Sequence, residues 1–220
     1  MVRTIPFRII FLALLSAPFL QADQSDAGAF VKHTIDSIFK VLADESKSDV
    51  DQNQAVLELV DPAFDFTLMG KLTLGKANWG KLSEEQRTEF SDLFYQQLRK
   101  AYVDKISAYK DKTVEFGEAK VKKSKATVAT TVVMADENLD VVYKLAKRSA
   151  GWRIYDVEVQ SISIIRSYGA QYDEVLHKDG PDGLLTKMRE SLAENAEEDT
   201  NAPAAADNEP ASAVEQKSAN

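Results

Sequence analysis

Residues 127–157 read TVATTVVMADENLDVVYKLAKRSAGWRIYDV and decide the fold class. Apolar residues alternate with polar or small ones over residues 127–134 and again over residues 139–145. Acidic and amide residues make a turn at 136–138, and residues 147–151 make a second one. Alternation with a period of two, interrupted by tight turns, predicts antiparallel strands that each have one buried face.

Two further strands flank this stretch. Residues 114–121 alternate before it, and residues 152–165 begin a fourth strand that is bent near Ser161. We therefore predict a four-stranded antiparallel curved sheet.

The segments on either side of the strands have helical periodicity instead. Ser83–Gln86 is a capping box, in which the serine hydroxyl and the glutamine side chain each bond the other's backbone N–H. It opens the longest predicted helix, and shorter helices are predicted at 27–45, 55–60, 66–74, 169–177 and 184–192. Helices, then strands, then helices predict an α+β fold, with the helices packed on the sheet and an apolar pocket between the layers.

Composition excludes several functions. The chain of 220 residues has a net charge of −8, no cysteine and two histidines. Binding to the phosphates of nucleic acid needs a basic surface, so the negative net charge disfavours a nucleic-acid partner. Without cysteine there is no disulfide or thiolate metal site, and His33 and His177 lack the spacing of metal ligands. We expect no cofactor and no metal.

Residues 1–22 have the parts of a secretory signal peptide: Arg3 and Arg8, an apolar run, and the small Ala22 before the cleavage site. The alternative is an uncleaved membrane anchor, but the apolar run is short for a span of about 20 residues. The segment 23–193 is then a single folded domain. Residues 194–220 hold seven acidic side chains against one lysine and predict a disordered acidic tail.

No catalytic motif is present, and we expect no enzymatic activity. Asp156 lies on an otherwise apolar strand, so one alternative is a small enzyme that uses this carboxylate as a general base. The structural interpretation is a carboxylate bonded to loop amides or paired with Arg153, Lys144 or a basic residue of a helix. A second alternative is an interaction module without a ligand.

The pocket residues follow from the two periodicities, although a one-residue slip would turn a whole strand over. From the helices we choose Leu72, Leu74, Phe94, Leu98 and Tyr102; from the sheet we choose Val128, Val132, Val141, Tyr143, Leu145, Trp152 and Ile154.

Several segments, taken together over residues 28–192, resemble the MlaC (toluene-tolerance) family. In the first half these are Asp65–Met69, Leu74–Gly75, Trp79, Leu82–Arg87, Phe90, Phe94, Leu98 and Tyr102. In the second half these are Gly151–Val157, Ser163, Tyr168, Gly180 and Asp182–Leu185.

The resemblance implies a periplasmic phospholipid carrier with a nuclear-transport-factor-like fold. It would be a monomer. It would shuttle lipid between an outer-membrane lipoprotein complex and an inner-membrane ABC transporter with a lipid-binding ring. In this way it would maintain outer-membrane lipid asymmetry. Acyl chains would lie between the layers, in the pocket chosen above. The chain departs from the family pattern at Ser161, where the family usually has glycine, and after Tyr168, where Gly169 replaces a frequent arginine.

Overall fold

The computed structural model describes residues 19–103, 106–135 and 137–201. Most of the predicted signal peptide and the end of the predicted tail, residues 1–18 and 202–220, lie outside the described residues. The helices are α1 (Phe19–Leu42), α2 (Asp49–Ala63), α3 (Phe66–Trp79), α4 (Glu84–Leu98) and α5 (Ile164–Asn201). The strands are β1 (Thr113–Phe116), β2 (Lys120–Lys122), β3 (Lys125–Val133), β4 (Leu139–Arg148), β5 (Gly151–Val159) and β6 (Ile162–Ser163).

The helix ends follow the capping signals. Ser83 and Gln86 form the predicted capping box at the start of α4, and Ser48 and Asp65 cap α2 and α3 by accepting from backbone N–H groups. A π-helical turn, Arg99–Val103, continues α4, and a short 3₁₀ helix, Ile106–Tyr109, leads toward the sheet.

Two of the helices bend at glycines. Gly75 in α3 and Gly180 in α5 have φ near 70°, a conformation that glycine adopts without steric cost. Beyond the second bend α5 runs to Asn201, so it includes residues 194–201 of the predicted tail.

The sheet is antiparallel, with strand order β1–β3–β4–β5–β6 and β2 also paired to β3. The α+β class is confirmed, but the predicted number of four strands is wrong, since the described residues contain six. The first predicted strand is interrupted at residues 117–119 between β1 and β2. The last one turns back at Gln160 and Ser161, which makes β6 a separate strand.

Buried side chains form three groups. The helical cluster joins α3, α4 and α5 and contains Met69, Leu74, Leu82, Phe90, Leu93, Phe94, Leu98, Tyr172, Leu176, Leu184, Leu185 and Met188. The sheet cluster contains Ala27, Val31, Ala119, Ala126, Val128, Val141, Leu145, Trp152, Ile154 and Val157. A smaller group, Ile38, Leu42, Val56 and Val60, holds α1 against α2. Phe64 contacts all three groups, and Ile164 contacts the helical and sheet clusters.

Candidate functional site

One face of the sheet carries all seven strand residues that the sequence analysis chose. In β3 and β4, Val128 pairs with Tyr143 and Ala126 with Leu145, so alternate residues of both strands share this inner face. The register of β5 continues it, because Tyr143 pairs with Val157 and Leu145 with Ile154. A bulge at Lys144 and Leu145 accommodates the extra residue of β5 between those two pairs.

The inner face is packed differently at its two ends. At the closed end, Ala126, Leu145, Trp152 and Ile154 are buried, and α1 covers them with Ala27 and Val31. At the open end, Val132, Leu139 and Val159 are half-buried, whereas Val141 and Thr130 beside them are buried. The sheet therefore keeps accessible apolar surface at one end of a face that is sealed at the other.

Tyr143 lies at the boundary between these ends. Burial raises the pKa of Tyr143 to about 12, although the residue as a whole is only half-buried. Burial disfavours the ionised phenol, so protein atoms surround the hydroxyl while another part of the side chain keeps accessible surface. The neighbouring Thr130 side chain acts on this pKa in the opposite direction, and the Thr130 hydroxyl donates to the Val141 carbonyl oxygen at 3.3 Å.

The helix residues chosen from the sequence lie elsewhere. Leu74, Phe94 and Leu98 are buried in the helical cluster rather than in the sheet cluster. Leu72 and Tyr102 are 44% and 43% exposed. The structure therefore does not bring the helical set together with the sheet set, because α1, not α4, packs on the inner face.

Helical spacing shows which face of α4 is buried but not the element that it faces, which explains the difference. Sequence reasoning also missed Leu139, Val159 and Phe64. The first two follow the same alternation as the chosen residues, so that signal was present in the sequence. Nothing local marks Phe64 as the side chain that joins the three clusters.

A second aromatic group lies where α5 meets the π-helical turn. Burial raises the pKa of Tyr168 to about 12, and the Tyr102 phenol nearby adds to this shift. The Tyr168 ring packs edge-to-face against Phe94, with the ring centres 5.6 Å apart. Tyr102, which is 43% exposed, therefore lies near the buried aromatics of the helical cluster.

A separate open cleft of about 230 Å³ lies between α1, α2 and β5. Its lining is half apolar and half polar: Phe30, Leu59, Pro62, Ala63, His33, Thr34, Ser37 and Arg153. None of the twelve residues chosen from the sequence lines it.

Asp156 lies on the opposite, outer face of the sheet and is 1% exposed. It accepts from the Ser163 hydroxyl at 2.8 Å and from the Ile165 backbone N–H at 3.4 Å, at the first turn of α5. Lys144 Nζ donates to the same carboxylate at 3.0 Å. Lys144 is one of the partners that the structural interpretation named, and the bonds from Ser163 and Ile165 show in addition that the carboxylate caps the start of α5.

The charges around Asp156 form a network. Lys144 also contacts Glu158, which in turn accepts from Arg166 at 2.8 Å. The hydrogen bond from Lys144 holds the pKa of Glu158 below its usual range. Glu158 therefore stays ionised at neutral pH and, with Asp156, ties the start of α5 to β4 and β5.

The described part of the chain contains no group of three or more histidines and carboxylates placed to hold a metal ion. Among the same residues, no helix has both the length and the apolar character needed to cross a membrane.

The architecture defines an α+β protein whose antiparallel sheet, packed on helices, keeps half-buried apolar side chains at one end of its inner face. The MlaC protein family matches residues 32–190, and the chain belongs to this family.

A curated relative and a solved structure extend this result. The chain is 22% identical over 171 residues to the intermembrane phospholipid transport system binding protein MlaC of Haemophilus influenzae, covering 69% of this chain and 79% of the relative. It is similar to a phospholipid-binding protein from Ralstonia solanacearum, whose structure contains a phospholipid. There the TM-score is 0.70 at 25% identity, covering 78% of this chain and 99% of the other.

Proposed function

We propose that this chain binds phospholipid and carries it between membranes, with the acyl chains against the open end of the inner face. The observation that carries the proposal is the end of the inner face where Val132, Leu139 and Val159 stay half-buried. In this proposal that end forms an apolar recess for the acyl chains. Family membership and the similar structure with its bound phospholipid support a lipid as the ligand.

The energetics favour a lipid whose acyl chains lie in the recess and whose head group stays in solvent. Each methylene removed from water contributes about 0.8 kcal/mol, so long acyl chains gain from an apolar recess. A charged head group would lose its hydration in the same place, and we therefore expect it to stay in solvent. Binding of this kind needs no catalytic residue, and Asp156 is engaged in capping α5.

The cellular part of the proposal rests on the family and on the leader-like residues 1–22. We propose export to the periplasm with cleavage after Ala22. The partners would be an inner-membrane ABC transporter with a lipid-binding ring and an outer-membrane lipoprotein complex, and the role would be maintenance of outer-membrane lipid asymmetry. Fractionation of cells followed by crosslinking tests this, and a protein found only in the cytoplasm would contradict it.

Native mass spectrometry of freshly purified protein tests lipid binding directly. We expect a mass increment that solvent extraction identifies as phospholipid. Val159→Asp places a charge in the recess and should strongly reduce this increment. Val50→Asp is the matched control, because Val50 is 77% exposed and should tolerate the change. Wild-type protein free of lipid, or equal loading of the two folded variants, would contradict the proposal.

A further inference from the structure

The turns at the closed end of the sheet bring basic side chains together. The β2–β3 hairpin turns at Lys123 and Ser124, and the Lys147 backbone N–H near the end of β4 donates to the Ser124 carbonyl oxygen at 2.8 Å. The β2–β3 turn therefore lies beside the end of β4. We call the exposed cations of this region the basic end: Lys122, Lys123, Lys125, Lys147 and Arg148.

The rest of the chain compensates little of this charge. Arg148 pairs with Asp65, with 2.6 Å between the guanidinium nitrogen and the carboxylate oxygen. Lys125 Nζ lies 5.6 Å from the centre of the Tyr155 ring, a contact that leaves its positive charge in place. Among the described residues, no carboxylate forms an ion pair with the three lysines nearest the β2–β3 turn.

The same hairpin is locally unfavourable. Lys122 and Lys125 are direct partners across β2 and β3, and like charges in such a pair destabilise a sheet. Lys123 has a φ of 56°, a left-handed conformation that glycine and asparagine adopt more easily than lysine. A chain that breaks two local rules in one turn commonly does so at a functional site. We therefore expect an anion outside the chain to compensate the lysines.

The predominance of lysine favours a membrane over a protein partner. Protein–protein interfaces are depleted in lysine and enriched in arginine and aromatic residues, because an ammonium group is strongly hydrated. A surface of anionic phospholipids attracts clustered lysines without burying them. The net charge of −8 does not prevent this attraction, since charges more than about 8 Å from the surface are largely screened at physiological salt. We propose that the basic end docks the protein on anionic phospholipid bilayers.

This docking goes beyond the proposed function, because it concerns the surface of a bilayer and not the bound lipid. In β3 and β4 the residues behind the basic end are Ala126 and Leu145 of the closed end. Val132 and Leu139 lie at the other end of the same two strands. The open end therefore remains accessible when the basic end touches a bilayer.

Sedimentation of purified protein with vesicles tests the proposal. At about 0.1 M salt the protein should bind vesicles made of equal parts of phosphatidylcholine and phosphatidylglycerol, but not vesicles of phosphatidylcholine alone. Raising the salt to about 0.5 M should release it, because the attraction is screened. Wild-type protein that binds both kinds of vesicle alike, or neither kind, would overturn the proposal.

A double variant locates the contact. Lys122→Gln with Lys123→Asn should weaken binding to the anionic vesicles about 25-fold, since each lysine near such a surface contributes about fivefold. The urea midpoint should not fall, because the change removes a like-charge pair and puts asparagine at the positive φ. Loss of vesicle binding with unchanged stability separates docking from a structural role.

The matched control is Lys40→Gln with Lys178→Gln. Both lysines are exposed and lie on α1 and α5 rather than on the sheet, so this variant has the same net charge as the first one. It should keep wild-type binding. Equal binding by the two double variants would show that the basic end is not the contact.

An acidic protein partner is the alternative that the same proteins distinguish. Immobilised polyglutamate serves as its probe. If wild-type protein ignores the anionic vesicles but is retained on polyglutamate through Lys122 and Lys123, the basic end binds an acidic protein and the membrane proposal is wrong.

Discussion

The two ends of the sheet's inner face use the same kinds of side chain for different purposes. Leu145 and Leu139 lie on the same strand and the same face, six residues apart. Leu145 is sealed beneath α1, whereas Leu139 remains half-buried at the open end. Apolar alternation alone therefore does not distinguish a core position from a proposed binding position. The difference is made by whether a helix covers that end of the face.

The largest effect is expected from truncating these two leucines. Leu145→Ala should lower the free energy of unfolding by about 2–5 kcal/mol, because it leaves a cavity in a close-packed site. Leu139→Ala should cost less than about 2 kcal/mol, since its side chain is partly exposed already. Urea denaturation of both variants measures these changes.

Lipid content should respond in the opposite order. Leu139→Ala should reduce bound phospholipid about fourfold or more, because the ligand loses contact area in the recess. Folded Leu145→Ala protein should keep the wild-type amount. If Leu145→Ala loses lipid and Leu139→Ala does not, the assignment of the closed and open ends is reversed.

The second effect concerns the outer face, where Asp156 holds the start of α5 against β4 and β5. Asp156→Asn removes the charge that bonds Ser163 and Lys144, and it should cost about 1.5–3 kcal/mol of stability. Asp140→Asn on β4 is the matched control, because this exposed carboxylate has the Thr131 hydroxyl as its partner at 2.9 Å. Its stability should change by less than about 0.5 kcal/mol. Equal denaturation midpoints for the two variants would rule out a special role for Asp156.

The third effect is a pH dependence that reports whether the open end is dry. The ordinary pKa of a tyrosine is 10.0, and burial raises that of Tyr143 to about 12. Between these values the folded state holds a proton that the unfolded chain has lost, so stability falls as pH rises from 10 toward 12. At pH 11 this group alone costs about 1.4 kcal/mol.

Tyr143→Phe lacks the titrating hydroxyl, so it is the reference against which the pH dependence of wild type is measured. Urea midpoints at pH 8 and pH 11 should differ less for Tyr143→Phe than for wild type, while Tyr168, whose pKa is also raised to about 12, titrates in both proteins. Parallel profiles would mean that Tyr143 ionises as in water. The open end would then be a wet groove rather than a dry recess.

The sequence predicted the layers of this fold better than their contacts. Alternation over residues 127–157 placed seven of the chosen residues on one face, and Ser83 and Gln86 marked the start of α4. Both signals are local, since they need only the period of a strand or the bonds of one helical turn.

The partner of each helix could not be predicted in the same way. Phe94 and Leu98 belong to a buried stripe, but the stripe packs on α3 and α5, a choice fixed by distant residues such as Tyr172. The division into open and closed ends depends likewise on where α1 crosses the sheet. No periodicity within β3 or β4 records that position.

The smallest expected effect comes from the turn between β5 and β6, which contains Ser161. Gln160 and Ser161 both have positive φ, 46° and 66°, which costs a residue with a side chain about 1–2 kcal/mol. Ser161→Gly should relieve that strain and, after the larger entropy loss of glycine on folding, raise the free energy of unfolding by about 0.5 kcal/mol.

Ser149→Gly is the matched control in the preceding turn, because Ser149 is not among the residues with positive φ and glycine there should be slightly destabilising. Because Ser161 precedes β6 and the start of α5, unchanged lipid content in Ser161→Gly would show that the strain is a local cost of the turn. A stabilised protein with altered lipid content would instead make this turn part of the wall of the recess.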